Sequence, residues 1–267
     1  MTVGFANRVD RTLAWFRGQG LVAVAPYLTV GYPERGSTLE LVPALQEAGA
    51  ALVELGVPFS DPLADGTTIQ RASARALGQG VTLAACLESV AALRARGVTL
   101  PLLLMSYVNP ILQYGPARFG AEAAAAGADG VIVPDLPPEE ADELAAPCAT
   151  RGLHVVFLAA PTSSDERLAV IAARSTGFIY CVSLLGVTGA RARLPERLPE
   201  FLGRVRRRTS LPLAVGFGIS TRAQVEALRG QAEAAIVGSA LLEAIEAAPA
   251  AERMRRAAAF IAGLARG

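Results

Sequence analysis

Residues 51–70 read ALVELGVPFSDPLADGTTIQ. The stretch opens as an apolar run of strand length that carries one charge, Glu54. Pro58, Asp61, Pro62, Asp65 and Gly66 then break the run into a long turn. Apolar periodicity resumes at Ile69, and Thr67 or Thr68 ahead of it can cap a helix as well as Asp65 can. Strand, long loop, helix is a βα unit. Inside it, a carboxylate sits in a segment that is otherwise fit for burial, which is costly unless the group has a partner or a purpose.

The same unit recurs along the chain. Apolar runs closed by small or turn residues fall at 22–29, 51–57, 101–107, 130–135, 154–160, 178–183, 212–218 and 234–239. Helical stripes lie between or after them: Leu39, Leu41, Val42, Leu45 and Ala48; Leu83, Cys86, Leu87, Val90 and Leu93; Phe119, Ala123 and Ala126; Leu168, Ile171 and Ala172; and Met254, Ala257, Ala258, Ile261 and Leu264. An amphipathic helix over 5–17, with Phe5, Val9, Thr12, Leu13 and Phe16 on its stripe, precedes the first strand. Near-continuous apolar strands imply a parallel sheet covered on both faces. Eight such units in 267 residues point to an α/β protein, a single (β/α)8 TIM barrel over 1–267 with an extra N-terminal helix. A doubly wound open sheet is the alternative. The sequence after the first strand, TVGYPERG, lacks the dinucleotide-binding glycine pattern.

Composition narrows the chemistry. Net charge is +1, so nucleic acid and anionic membranes are not expected partners. The longest uncharged stretch, 97–117, contains Pro101, Pro110 and Pro116 and reads as a buried strand and turn, not a membrane span. Arg8, Asp10 and Arg11 interrupt any signal-peptide core. Cys86, Cys148 and Cys181 are too scattered for a disulfide framework, and a reducing cytoplasm is expected. All 25 basic residues are arginine. Without lysine there is no Schiff-base aldolase and no Walker A loop. A single histidine, His154, argues against histidine-based metal sites and triads, and is expected to be structural or solvated. Acid–base work must rest on Asp, Glu and Tyr.

In a barrel, function sits at the C-terminal ends of the strands. Thr29, Glu54, Tyr107, Asn109, Asp135, Pro161, Thr162, Ser183 and the glycines at 216–218 and 238 fall there. Strand alternation sets Leu52, Glu54 and Gly56 on one face and Val53, Leu55 and Val57 on the other. If the first face is the interior, desolvation raises the Glu54 pKa and makes it a general acid; a structural pairing with an arginine is the rival reading. Asp65 is either a second catalytic carboxylate or a turn and cap residue, and Asp61 reads as a turn or contact residue. Gly218 after strand seven, and Gly238 with Ser239 after strand eight, can cradle a phosphate at a helix N-terminus; the glycines could also merely close turns. Residues 186–191, GVTGAR, read as a lid or a plain surface loop. Tyr27, Tyr107 and Tyr180 lie near strand ends, as pocket walls or as core. The arginines at 204–208 read as a solvated face.

The run from Glu54 to Gly66 resembles the E-L-G-x-P-F-S-D-P-x-A-D-G signature of the tryptophan synthase alpha chain family. PYLTVGYP at 26–33, LMSYVNPILQYG at 104–115, VPDLPPEE at 133–140, LAAPTS at 158–163, GVTGAR at 186–191, VGFGIS at 215–220 and VGSA at 237–240 resemble the family's other strand-end motifs, in order. The resemblance implies a lyase barrel that cleaves indole-3-glycerol phosphate to indole and glyceraldehyde 3-phosphate in L-tryptophan biosynthesis. It sets Glu54 and Asp65 on the catalytic acid/base pair. It sets Tyr27, Tyr107, Tyr180 and Phe217 beside the indole and glycerol parts, and Gly189, Gly218, Gly238 and Ser239 on the phosphate. Thr188 falls on a lid threonine that reaches the Asp65 loop. The implied assembly is an αββα heterotetramer whose beta chain carries pyridoxal phosphate and receives the indole; this chain is expected to hold no cofactor and no metal. Pro58 and Asp61 match positions that face the partner. Thr67, Leu184, Leu185 and the run Ala232, Glu233, Ala234 depart from the family pattern. A different phosphate-binding barrel isomerase, a stand-alone indole-3-glycerol-phosphate lyase and a non-catalytic activating barrel remain as alternatives.

Overall fold

A computed structural model describes residues 7–182, 194–216 and 218–265. Its strands are β1 (Ala23–Thr29), β2 (Val53–Gly56), β3 (Leu102–Met105), β4 (Gly130–Ile132), β5 (His154–Val156), β6 (Leu158–Ala159), β7 (Ile179–Val182), β8 (Leu213–Gly216) and β9 (Ala234–Val237). Every recorded pairing between them is parallel. The order is β5-β4-β3-β2-β1-β9-β8-β7-β6. The two ends of that order are consecutive in the chain, parted only by Phe157. The Phe157 carbonyl accepts from the Tyr180 amide at 3.1 Å, and the Val155 carbonyl from the Thr176 amide at 3.0 Å. The sheet therefore closes on itself as a barrel, which removes the open doubly wound alternative. The expected fifth strand is simply interrupted once, giving nine segments where eight runs were read.

Helices α1 (Arg8–Gly18), α2 (Thr38–Glu47), α3 (Thr67–Gly78), α4 (Leu83–Ala95), α5 (Val108–Tyr114), α6 (Pro116–Ala126), α7 (Asp142–Ala149), α8 (Asp165–Arg174), α9 (Leu198–Arg206), α10 (Arg222–Ala227), α11 (Ser239–Glu246) and α12 (Arg253–Ala265) surround the strands. The predicted stripes of α2, α4 and α8 are the buried ones: Leu41, Val42 and Leu45; Leu83, Cys86, Leu87, Val90 and Leu93; Leu168 and Ile171. On α12, Met254 departs from its stripe and is half exposed. The uncharged stretch 97–117 becomes β3 and α5. Among the described residues no single helix is long and apolar enough to cross a membrane.

Period-two alternation sorts the strand side chains into two cores. Ala23, Ala25, Leu52, Leu103, Ile132, Val156, Phe178, Tyr180, Ala214, Ala234 and Ile236 fill the barrel interior. Val24, Leu28, Val53, Leu55, Leu102, Leu104 and their neighbours face the helices.

Helix α1 closes the bottom of the barrel. Its Val9 and Leu13 join the interior core, with Phe16 packed against them. Asn7 and Asp10 form a capping box at its start. Arg8 pairs with Asp129 just before β4, Asp10 with His154 at the start of β5, and Arg17 with Glu233 just before β9. Of the two readings of His154, structural or solvated, the structure supports the first. The arginines at 204–208 are not simply a solvated face. Arg204 and Arg208 pair with Asp165, and Arg206 with Glu233.

Candidate active site

Alternation on β2 turns Glu54 inward, on the Leu52 face, at the strand's C-terminal half. The residue is fully buried, and neither carboxylate oxygen has a hydrogen-bond partner among the described residues. Burial alone pushes its pKa up to about 8. The reading of Glu54 as the acidic half of an arginine pair is therefore set aside.

In register, Glu54 stands between Tyr27 on β1 and Leu103 on β3. The Tyr27 ring crosses above it into the space left by Gly56: a Cβ there would stand 2.1 Å from the phenol oxygen. On the other side of the barrel, Tyr180 uses Gly216 in the same way, with 2.4 Å to its phenol oxygen. Each glycine is the register partner of the residue two beyond the tyrosine, Thr29 and Val182. The two strand pairs therefore repeat one device, a tyrosine laid over a glycine. Tyr27 also meets the Thr29 hydroxyl at 3.3 Å.

Asp65 arrives on the loop after β2. Its amide donates to the Pro62 carbonyl at 3.0 Å, and the Gln70 side chain donates to the Asp65 carbonyl at 2.9 Å. The Tyr107 hydroxyl accepts from the Ala64 amide at 2.8 Å and hydrogen-bonds the Asp65 carboxyl. Burial raises the Asp65 pKa to about 6, against the opposing pull of that hydrogen bond. The N-cap of α3 is Gly66, without a side-chain hydrogen bond. Asp65 is therefore not a cap, and neither is Thr67 or Thr68: both already lie inside the helix.

Tyr27, Glu54, Asp65, Tyr180, Gly218, Gly238 and Ser239 line one cleft of about 550 Å³, its open mouth included. Gly218 has a φ of +82°, a conformation that suits glycine. Gly238 is the N-cap of α11, so the free amides of that helix's first turn face the cleft. Ile69, Met105, Ile219, Ser220, Ile236 and Ala240 complete the wall and were not singled out from the sequence. Met105 and Ile236 share strand parity with the interior residues Leu103 and Ala234, so alternation carries a signal for them. For Ile69, brought in by a helix from outside the barrel, it carries none.

Three expected residues sit elsewhere. Tyr107 stands behind Asp65 and not in the cleft wall. Pro58 is buried within the chain, whereas Asp61 is exposed. Asp61 lines a second groove with Phe59, Leu63, Ala64, Tyr107, Asn109 and Asp135. Asp135 itself is tied up, accepting from the Val108 amide at the start of α5 at 2.9 Å. Thr188, Gly189, Phe217, Ser183, Leu184 and Leu185 lie outside the described residues.

The family model of the tryptophan synthase alpha chain matches residues 14–265. The chain belongs to the tryptophan synthase alpha chain family. It is 58% identical to the alpha chain of Roseiflexus sp. (strain RS-1) over 97% of this chain and 99% of that one. The Chloroflexus aurantiacus alpha chain is 54% identical over 96% of each. A structure of Mycobacterium tuberculosis tryptophan synthase superposes with a TM-score of 0.90 at 39% identity, covering 98% of both chains. The tryptophan synthase alpha subunit of Legionella pneumophila gives 0.87 at 37% identity, covering 97% of both. The lyase barrel implied by the opening stretch is thus the family's own fold, and the cleft described above occupies its C-terminal face.

Proposed function

We propose that this cleft carries out the alpha reaction of tryptophan synthase, with Glu54 and Asp65 as its acid–base pair. The chain is a lyase subunit, cleaving indole-3-glycerol phosphate to indole and glyceraldehyde 3-phosphate. The observation that carries the assignment of roles is Glu54: a buried, unpartnered carboxyl in the same cleft as a second carboxyl and a helix N-terminus.

The chemistry follows from that arrangement. Protonated Glu54 delivers its proton to indole C3, which turns the ring into an iminium-like electron acceptor. Ionised Asp65 accepts a hydrogen bond from the ring N–H and stabilises the positive charge that grows there. Glu54, now a carboxylate, takes the proton of the hydroxyl on the carbon attached to the ring. That carbon becomes the aldehyde, the carbon–carbon bond breaks, and its electron pair returns to the indole. One proton enters at C3 and one leaves the hydroxyl, so the balance closes without a Schiff base. Tyr27 and Tyr180 flank the indole and glycerol parts, and Tyr107 holds Asp65. Backbone amides near Gly218 and Gly238, with Ser239, take the phosphate; Phe217, Thr188 and Gly189 belong to the same proposal.

The chain acts as one domain in the cytoplasm, in an αββα complex. The beta chain supplies pyridoxal phosphate and receives the indole; this chain brings no cofactor of its own. Asp61 faces that partner, with Pro58 shaping the loop from beneath. The test is to mix the purified chain with indole-3-glycerol phosphate, with and without a beta chain, and to measure indole. Turnover that requires both Glu54 and Asp65 is the expected result. No turnover under either condition overturns the reading.

A further inference from the structure

Asp65 precedes α3 by one residue, and Gly66 brings no side chain to cap the helix start. The placement of that first turn must come from outside α3. It comes from α11. Thr68 Oγ1 donates to Glu243 Oε1 at 3.0 Å. One turn later Arg71 pairs with Glu246 at 2.8 Å, so the two helices meet at matched positions three residues apart. Beside Thr68, Ile69 lines the cleft, and a Cβ on Gly238 would stand 3.8 Å from its Cδ1. Gly238 is the N-cap of α11. One short turn thus touches Asp65 at one end and, at the other, the helix whose N-terminus faces the cleft.

The two polar links differ in weight. Arg71 and Glu246 are both exposed, and such surface pairs contribute little. Thr68 is only 9% exposed while its acceptor Glu243 is exposed, so this hydrogen bond is shielded from water on the donor side only. The Gln70 side chain folds back onto the Asp65 carbonyl and so ties the two ends of this turn together.

We propose that Thr68 is a positioning residue for the cleavage: its hydrogen bond to Glu243 fastens the Asp65 loop to the helix that holds the substrate phosphate. The proposal rests on the roles assigned above to Asp65 and to the N-terminus of α11. A phosphate ester seated at Ser239 steadies α11, and through Thr68 it steadies the carboxylate that must meet the ring N–H. Alignment of that kind acts on the chemical step more than on phosphate binding.

Thr68→Val removes the donor and Glu243→Ala the acceptor, whereas Thr68→Ser and Glu243→Gln keep them. With the beta chain present, kcat for indole release falls about tenfold in Thr68→Val and in Glu243→Ala, with KM within about twofold of the parent. Thr68→Ser and Glu243→Gln recover most of the rate, and the double variant Thr68→Val with Glu243→Ala falls no further than either single change. Glycerol 3-phosphate, used as the probe, slows amide hydrogen exchange at residues 66–70 in the parent and in Thr68→Ser but not in Thr68→Val. Parental kcat in folded Glu243→Ala overturns the proposal, as does a Thr68→Ser rate as low as that of Thr68→Val. Asp65→Asn is measured alongside. If it keeps parental turnover, the role of Asp65 itself fails; if it loses turnover while Thr68→Val keeps it, only the coupling fails.

Discussion

Burial moves both cleft carboxyls upward, Glu54 to about 8 and Asp65 to about 6. Between those values the first is protonated and the second ionised, which is the pairing that the proposed roles call for. The dependence of kcat/KM on pH is expected to be a bell with limbs near those two values. Glu54→Gln should cost about 10²–10⁴-fold in kcat, since a proton donor is lost from a site shaped around it. Tyr107 acts on the acid limb. Its hydrogen bond lowers the Asp65 pKa, so Tyr107→Phe should move that limb to higher pH while the alkaline limb stays. An acid limb that stays in place would detach Tyr107 from Asp65. The same shift has a stability consequence. Glu54 binds its proton more tightly folded than unfolded, where its ordinary value is 4.5. The stabilisation is complete below that value and is lost as pH rises through the window up to about 8, at roughly 1.4 kcal/mol per pH unit. Glu54→Gln carries no such proton. Urea unfolding should therefore show the variant gaining on the parent as pH is raised from 5 to 8. At this scale the sequence already exposed Glu54, because a lone charge in an alternating apolar strand has few reasons to exist. It could not expose the Tyr107 contact, which joins side chains from two separate βα loops.

Elements were legible where local periodicity makes them. The strand runs and the buried stripes of α2, α4 and α8 follow from burial on one face or both, and the structure keeps them. What periodicity cannot encode is which ends meet. The bottom of the barrel is held by two buried carboxylates in equivalent places. Asp129 precedes β4 and accepts from the Leu102 amide of β3; Glu233 precedes β9 and accepts from the Leu213 amide of β8. Arginines of α1 reach both, and Arg94 and Arg206 complete them. Glu233 had stood out only as a departure from the family's turn. Its position shows what the acid does there: like Asp129, it meets two arginines and a backbone amide at once. Removing one partner of such a cluster leaves the others uncompensated. Asp129→Ala should cost about 3–5 kcal/mol in urea unfolding, because Arg94 and the Leu102 amide lose their acceptor. The cleft carboxyls lie at the opposite end, so the pH limbs of any remaining activity should not move. A loss below about 1 kcal/mol would mean that the Asp129 cluster adds little to the other anchors of α1, its apolar face and the pairs Asp10 with His154 and Arg17 with Glu233.

For the molecule as a whole, barrel closure and the polar ring at one end were readable from counting strands; the cleft takes Glu54, Gly218 and Gly238 of that ring, whereas Tyr107, Asn109 and Asp135 line the second groove. The second groove was not readable, because exposure is a property of the folded surface. Leu63 is 94% exposed there, on the loop that delivers Asp65. A single exposed leucine is ordinary on a protein surface; this one is set apart by its place beside the groove, on the loop that carries Asp65. The groove shares Tyr107 and Ala64 with the hydrogen bonds that fix Asp65, so a partner seated on it would bear on the Asp65 loop without entering the cleft. Burying one leucine contributes about 1.5–3 kcal/mol, equivalent to roughly 10–150-fold in affinity. Leu63→Asp should therefore weaken binding of the beta chain by at least about tenfold, measured by titrating indole release against added partner. Indole release by the isolated chain should stay within about twofold of the parent, since Leu63 touches neither the cleft nor the Asp65 carboxyl. Unchanged affinity would place the partner on another face; a matching loss of basal rate would mean that Leu63 holds the loop instead of the partner.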